Sequence, residues 1–175
     1  MGGPDIEETK GDDVFRRSIY FRTAPDLQMD MLKVFDIASP NECFQRSESI
    51  VPQQGLALAN SKLSLTVSRD IAAQLSSVKP TDGNRSVSSP SPPPDKEFIA
   101  AAFDRILGRL ASQAETQESL KYLGEQTELY RSPASLTPFN SGPAAATKPS
   151  DDPHQRARES LVHVLLNHND MVTIR

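Results

Sequence analysis

The chain has 175 residues, 37% of them hydrophobic and 6% aromatic with no Trp, and its formal net charge is -4. That composition allows one modest core, and its acidic balance excludes nonspecific nucleic-acid binding, which relies on Lys and Arg displacing counterions from phosphate. Cys43 is the only cysteine, which excludes an internal disulfide, a four-cysteine zinc site and a C-x-x-C-H haem attachment, and no apolar run approaches the roughly 20 residues of a bilayer span.

In chain order, Ile19, Tyr20 and Phe21 make Ser18 to Arg22 a β-prone run, and Ala24-Pro25 turns the backbone away from helix, so an extended segment is predicted. Leu27 to Phe35 reads as a short helical turn with Met31, Leu32 and Phe35 inward. Asp36 to Ser49 has little periodicity and contains the turn signal Ser39-Pro40-Asn41, as an ordered loop would. From Pro52, a first-turn proline, one helix is predicted through Leu75, with Leu56, Leu63, Val67, Ile71 and Leu75 on its apolar face. Residues 79–94, with consecutive prolines and no apolar period, form a linker.

Asp95 is predicted to cap a helix through Arg109 whose stripe is Phe98, Ala102, Phe103, Ile106 and Leu110, followed by a tight turn over Gly108 to Ala111. Ser112 and Glu115 form the S-x-x-E capping pattern of the next helix, with Leu120, Tyr122 and Leu123 apolar, so 95–130 is an αα-hairpin. Residues 131–151 read as a flexible loop. Asp152, Pro153 and Gln155 then supply a cap, a first-turn proline and a capping-box partner for a last helix. Its apolar face is Ala157, Leu161, Val164, Leu165 and His168, and an extended tail runs from Met171 to Arg175. The fold class is mainly α, with about four helices, short extended segments at both ends and two long loops. The chain divides into 1–78, the linker 79–94, the hairpin 95–130, the loop 131–151 and the closing helix and tail 152–175.

Several side chains invite a chemical reading. His163 and His168 are five positions apart, which sets them about 140 degrees apart around a helix, and no H-E-x-x-H spacing accompanies them, so surface or cap histidines are predicted and no metal. Cys43 reads as a small buried hydrophobe, and Gln53, Gln54 and Asn60 as packing amides. Asp170 beside His168 lacks a nucleophile or an oxyanion loop. Arg16, Arg17, Arg46 and Arg109 are the more informative charges, because a guanidinium pins carboxylates and carbonyls with several fixed donors. With Asp36, Glu42 and Asp170 they form a candidate network, read either as architectural pairing or as a site for an anionic or sugar ligand. No catalytic, cofactor-binding or metal residue is assigned.

The blocks MGGPDI, RRSIYFRTAP, FDIASPNECFQRSESIVPQQGLALAN, FIAAAFDRILGR and RESLVHVLLNHNDMVTIR occur in one family order. On these the chain resembles the C-terminal part of the planctomycete domain of unknown function 1553 family, whose longer members often carry cytochrome-c-like domains upstream. The chain departs from the family's Thr-Pro-Leu-Gln-Ala-Leu at Val51 to Leu56, and Leu110 and Ala111 stand after Arg109 where a proline is common. The resemblance implies a non-catalytic helical C-terminal portion of a larger exported protein, partnered by an upstream domain or another protein. The alternatives are a small helical interaction module and part of a carbohydrate-active or hydrolytic site. The acidic start implies a cytoplasmic chain, whereas the resemblance implies export.

Overall fold

The computed structural model describes residues 4, 6–7, 14, 16–21, 24, 29–35, 52–77, 93–132, 136 and 145–172. Among them the chain is mainly helical, as its patterning predicts: a 3-10 turn at Ser18–Tyr20 precedes α1 (Asp30–Val34), α2 (Pro52–Asn60), α3 (Lys62–Ser77), α4 (Asp95–Leu107), α5 (Gln113–Arg131), α6 (Pro153–Leu166) and α7 (Asn169–Val172). There are more helices than the four main ones predicted because the helix from Pro52 is split and the short α1 and α7 add to them.

The core is built where four of these helices meet. Phe98, Ile99, Ala102 and Phe103 of α4, Leu123 of α5, Ala72 of α3 and Ala157, Leu161, Val162 and Leu165 of α6 form one buried cluster. Helix α6 touches α3, α4 and α5. It buries Ala157, Arg158, Glu159, Leu161, Val162 and Leu165, a set too wide for one stripe, because neighbours cover it on three sides. Each fully buried large aliphatic or aromatic side chain contributes about 1.5–3 kcal/mol before ordering entropy opposes it, so most of the stability gathers around α6.

The helix ends follow local chemistry. Ser112 and Glu115 close the predicted capping box: the Ser112 hydroxyl accepts from the Glu115 N–H and the Glu115 carboxylate from the Ser112 N–H. Gly108 ends α4 at φ 65°, a left-handed conformation that a residue without Cβ adopts at little cost, and its N–H donates to the Asp104 carbonyl. Asp152 caps α6 by accepting from the backbone N–H groups of His154 and Gln155, with Pro153 in the first turn.

Other expectations are corrected. Ser18 to Tyr20 is a 3-10 turn and not extended: the Tyr20 N–H donates to the Arg17 carbonyl at 3.0 Å, and the Arg16 guanidinium lies 4.2 Å over the Tyr20 ring. Phe21 does pair as a strand would, in an isolated parallel bridge with Ile6. β-propensity reflects a fit to neighbouring strands, and here Ile19 has none and is 81% exposed. Leu27 to Phe35 does contain a short helix, α1.

The single helix predicted from Pro52 to Leu75 breaks at Ser61. The Ser61 hydroxyl accepts from the Ser64 N–H at 3.0 Å and starts α3, while Asn60 bonds back to the Leu56 carbonyl at 3.0 Å. Short polar side chains of this kind compete with the helical ladder and favour helix ends. The inward face also turns: Leu56 is exposed, and Thr66, Ser68 and Ala72 are buried. Small residues let α3 approach α6 closely, and the two hydroxyls are tolerated because they donate to the Lys62 and Leu65 carbonyls of their own helix.

Asp95 does not cap α4; Pro94 holds that position, and the Asp95 carboxylate reaches α6 instead. Gln155 does not complete a capping box, since its Oε1 accepts from the Ser76 hydroxyl at 2.8 Å. Met171 and Val172 lie in α7 and not in an extended tail. Leu110 and Val164, both assigned to apolar faces, are exposed.

Candidate functional site

Among the described residues, two arginines each join elements far apart in sequence. Arg109 follows the left-handed Gly108 and turns back over the first turn of α5. Its Nη1 and Nη2 donate to the two Glu115 oxygens at 3.0 and 2.7 Å, and its Nε and Nη2 donate to Asp170 Oδ2 at 3.0 and 2.9 Å. The guanidinium also lies 5.6 Å from the Phe103 ring centroid. One side chain thus ties the end of α4, the start of α5 and α7, in the fork geometry that suits arginine to carboxylates.

Electrostatics follows from these contacts. Hydrogen bonds from Arg109, and then from Ser112, pull the Glu115 carboxyl down to about 2. The Glu115 and Asp170 bonds raise the Arg109 guanidinium above its already high range. All three side chains are a quarter to a third or more exposed, so water screens the pairing and its energetic weight is modest. Because the folded-state value of Glu115 is depressed, its contribution is present above the unfolded value near 4.5 and is lost as pH falls toward 2. Urea unfolding between pH 7 and pH 2 is therefore expected to show a stability gap between the wild type and Glu115→Gln that is constant above pH 5 and closes steadily below it. A gap independent of pH would refute the pairing.

The second arginine, Arg158, is 1% exposed. Its Nη2 donates to the Pro93 carbonyl at 2.6 Å and to Asp95 Oδ1 at 2.7 Å, its Nε to Asp95 at 3.2 Å, and its Nη1 to the Ser76 hydroxyl at 3.3 Å. The guanidinium lies 4.6 Å over the Phe98 ring. His154 Nε2 is 3.1 Å from the same carboxylate. Burial raises the Asp95 carboxyl, but hydrogen bonds from Arg158 and His154 outweigh it and hold the group below its ordinary range. This cluster locks α6 against the start of α4 and the end of α3.

Of the residues singled out from sequence, Arg109 and Asp170 meet each other. Arg16 lies elsewhere, donating to the Pro4 carbonyl at 3.1 Å, and Arg17 is exposed. Asp36, Glu42, Cys43 and Arg46 lie outside the described residues. The three histidines stay apart in role: His154 joins Asp95, His168 Nδ1 accepts from the Asp170 N–H at 3.1 Å, and His163 is half-buried against α3. No group of three His, Cys, Asp or Glu side chains among the described residues could hold a metal ion, and no helix there is long and apolar enough to cross a membrane.

Sequence reading missed the Arg158 cluster, although a signal for it was present. Arg158 precedes Leu161, Val162 and Leu165 at i+3, i+4 and i+7, and Asp95 precedes Phe98, Ile99 and Ala102 at the same offsets. Two opposite charges thus each head a buried helical stripe, and packing the stripes together brings the charges into contact.

No curated protein and no solved structure matches the chain. A family model does match, over residues 3–123: PSD1, described as protein of unknown function (DUF1553). The match runs from the N-terminal segment through α4 and into α5, and the C-terminal block that also carries the resemblance lies beyond it. Covering more than half of the chain, it establishes that the protein belongs to the PSD1 (DUF1553) family.

Proposed function

We propose that this chain is a non-catalytic helical portion, at the C-terminal side, of a larger exported planctomycete-type protein, and that it supplies packing surface to an upstream part carrying the biochemical role. The observation supporting this reading is the Arg109 clamp: the donors of the most prominent candidate residue are directed to Glu115, Asp170 and the Leu110 carbonyl, which join three elements of the same chain. A guanidinium used in this way is a structural tie. Residues arranged for ligand binding or catalysis commonly lower stability, so replacing them leaves it unchanged or raises it.

Arg109→Met separates the alternatives. The packing reading expects a lower thermal midpoint than wild type with helical circular dichroism retained. An equal or higher midpoint would reject it in favour of a ligand-binding or hydrolytic site around Asp170. A second reading, an interaction module that binds a separate protein, draws support from the exposed Leu110 and Met171, whose sequence neighbours Arg109 and Asp170 form the clamp.

A further inference from the structure

A partly open cavity of about 130 Å³, away from both arginine clusters, lies between α3, the end of α5, α6 and residues 145–150. Arg69, Arg156, Glu159, Tyr130, Ser160 and His163 supply its polar lining. The 145–150 segment builds one wall by bonding across the helices. The Ala146 N–H donates to the Thr66 hydroxyl at 3.1 Å, and the Thr147 hydroxyl donates to Asp70 at 3.0 Å. The Thr147 carbonyl accepts from Arg69, and the Ser150 N–H donates to both Glu159 oxygens at 3.2 Å. Arg69 and Glu159 are thereby held in place before any ligand arrives.

Arg156 is placed differently. Its guanidinium lies 4.6 Å over the Tyr130 ring and donates no hydrogen bond to the described residues. Beside it the Tyr130 and Ser160 hydroxyl oxygens are 2.8 Å apart. His163 completes the polar lining with its Nε2 buried. Burial holds the His163 ring below its ordinary range, with the Arg69 charge acting in the same direction against the Ala59 carbonyl, so the ring is neutral at pH 7. Two guanidinium charges then face one carboxylate, Glu159, and leave one net positive charge.

Size and lining narrow the ligand further. A cavity of about 150 Å³ is known to take benzene, so this one admits about six non-hydrogen atoms. Leu65 and Pro149 give it an apolar wall that suits a short carbon chain and that an inorganic oxyanion would not use. We propose that the cavity binds a small organic monocarboxylate, with its carboxylate on the Arg156 guanidinium and on the Tyr130 hydroxyl, which turns from Ser160 to donate to it because the Ser160 hydroxyl already donates to the Arg156 carbonyl at 3.1 Å, and Arg69 supplying the second positive charge. This site goes beyond the packing role and stands or falls independently of it.

The test is a titration of the full chain, followed by amide and arginine side-chain NMR resonances, with acetate, pyruvate and phosphate at matched ionic strength. Pyruvate is expected to give saturable shifts at Tyr130, Ser160 and Arg156, with a dissociation constant on the order of a millimolar. Acetate should bind more weakly, because its shorter chain covers less of the Leu65 and Pro149 wall, and phosphate more weakly still. Arg156→Met should weaken pyruvate binding by about tenfold or more. Arg131→Met, which removes a surface guanidinium paired with Glu128, should leave it unchanged. Tyr130→Phe is the milder variant that decides the matter if Arg156→Met does not fold. The absence of saturable shifts with either carboxylate, tighter binding of phosphate, or affinity unchanged in the cavity variants would overturn the proposal.

Discussion

Arg158→Met is expected to lower the unfolding free energy by about 3 kcal/mol, near the bottom of the range for breaking a buried ion pair from one side. The side chain is 1% exposed, so methionine can fill most of its volume, but it has no donors. The Pro93 carbonyl, which accepts at 2.6 Å from Arg158, is left buried with a partner removed, and Asp95 loses two hydrogen bonds. Asp95 is 30% exposed and recovers some solvation from water, which is why the loss stays near the bottom of the range. For a chain of this length, about 3 kcal/mol corresponds to a drop of roughly 6–12 °C in melting temperature. Arg158→Lys should recover only part of the loss, since one ammonium cannot span Pro93, Asp95 and Ser76 in the planar fork that arginine provides. Urea melts at pH 7 measure the effect, and a loss below about 1 kcal/mol would show that the cluster is not under tension from burial.

Phe98→Ala is expected to cost about 3–5 kcal/mol. The ring is completely buried in the cluster joining α4 to α6, and its loss removes apolar contact and leaves a hole that α4 cannot close without shifting. It also strips the aromatic face from the Arg158 guanidinium, 4.6 Å away. A buried cation over a ring gains up to about 2 kcal/mol, so the two substitutions should not add. The double variant is expected to lose less than the sum of the single losses, and calorimetry of the four proteins gives the coupling directly. Exact additivity would mean that the ring and the guanidinium act separately. As a reference, Leu110→Ala should change stability by no more than about 0.5 kcal/mol, because that side chain is 75% exposed.

The physical reasons why some features were legible and others not can be seen in particular residues. Ser112 with Glu115, Asp152 with Pro153, and Gly108 were readable because a cap is made by residues within four positions of one another. The stripe Phe98, Ala102 and Phe103 was readable because one face of α4 meets the core. Helix α3 was legible in part: Ile71 and Leu75 of its predicted face pack half-buried against the core, while the small Ser68 and Ala72 are the residues it buries fully. No rule about periodicity distinguishes those two arrangements until the neighbouring helix is in place. In the candidate network, Arg109 and Asp170 were both conspicuous as charges, yet their pairing spans 61 positions and depends on how α7 turns back.

What the sequence by itself determined is local or compositional: a mainly helical chain, the positions of most helix ends, the lack of a second cysteine within these 175 residues and, through ordered blocks of residues, its family. Only the tertiary structure decided that α6 is the central helix, that the buried Arg158 pairs with the part-exposed Asp95 at the start of α4, and that Arg69, Arg156 and Glu159 come to line one cavity. Capping bonds and helical periods act over a few residues, so the chain encodes them in short patterns. Contacts between α3, α4 and α6 depend on which faces fit when several helices pack together, and that choice is made by the shape and charge of all of them at once.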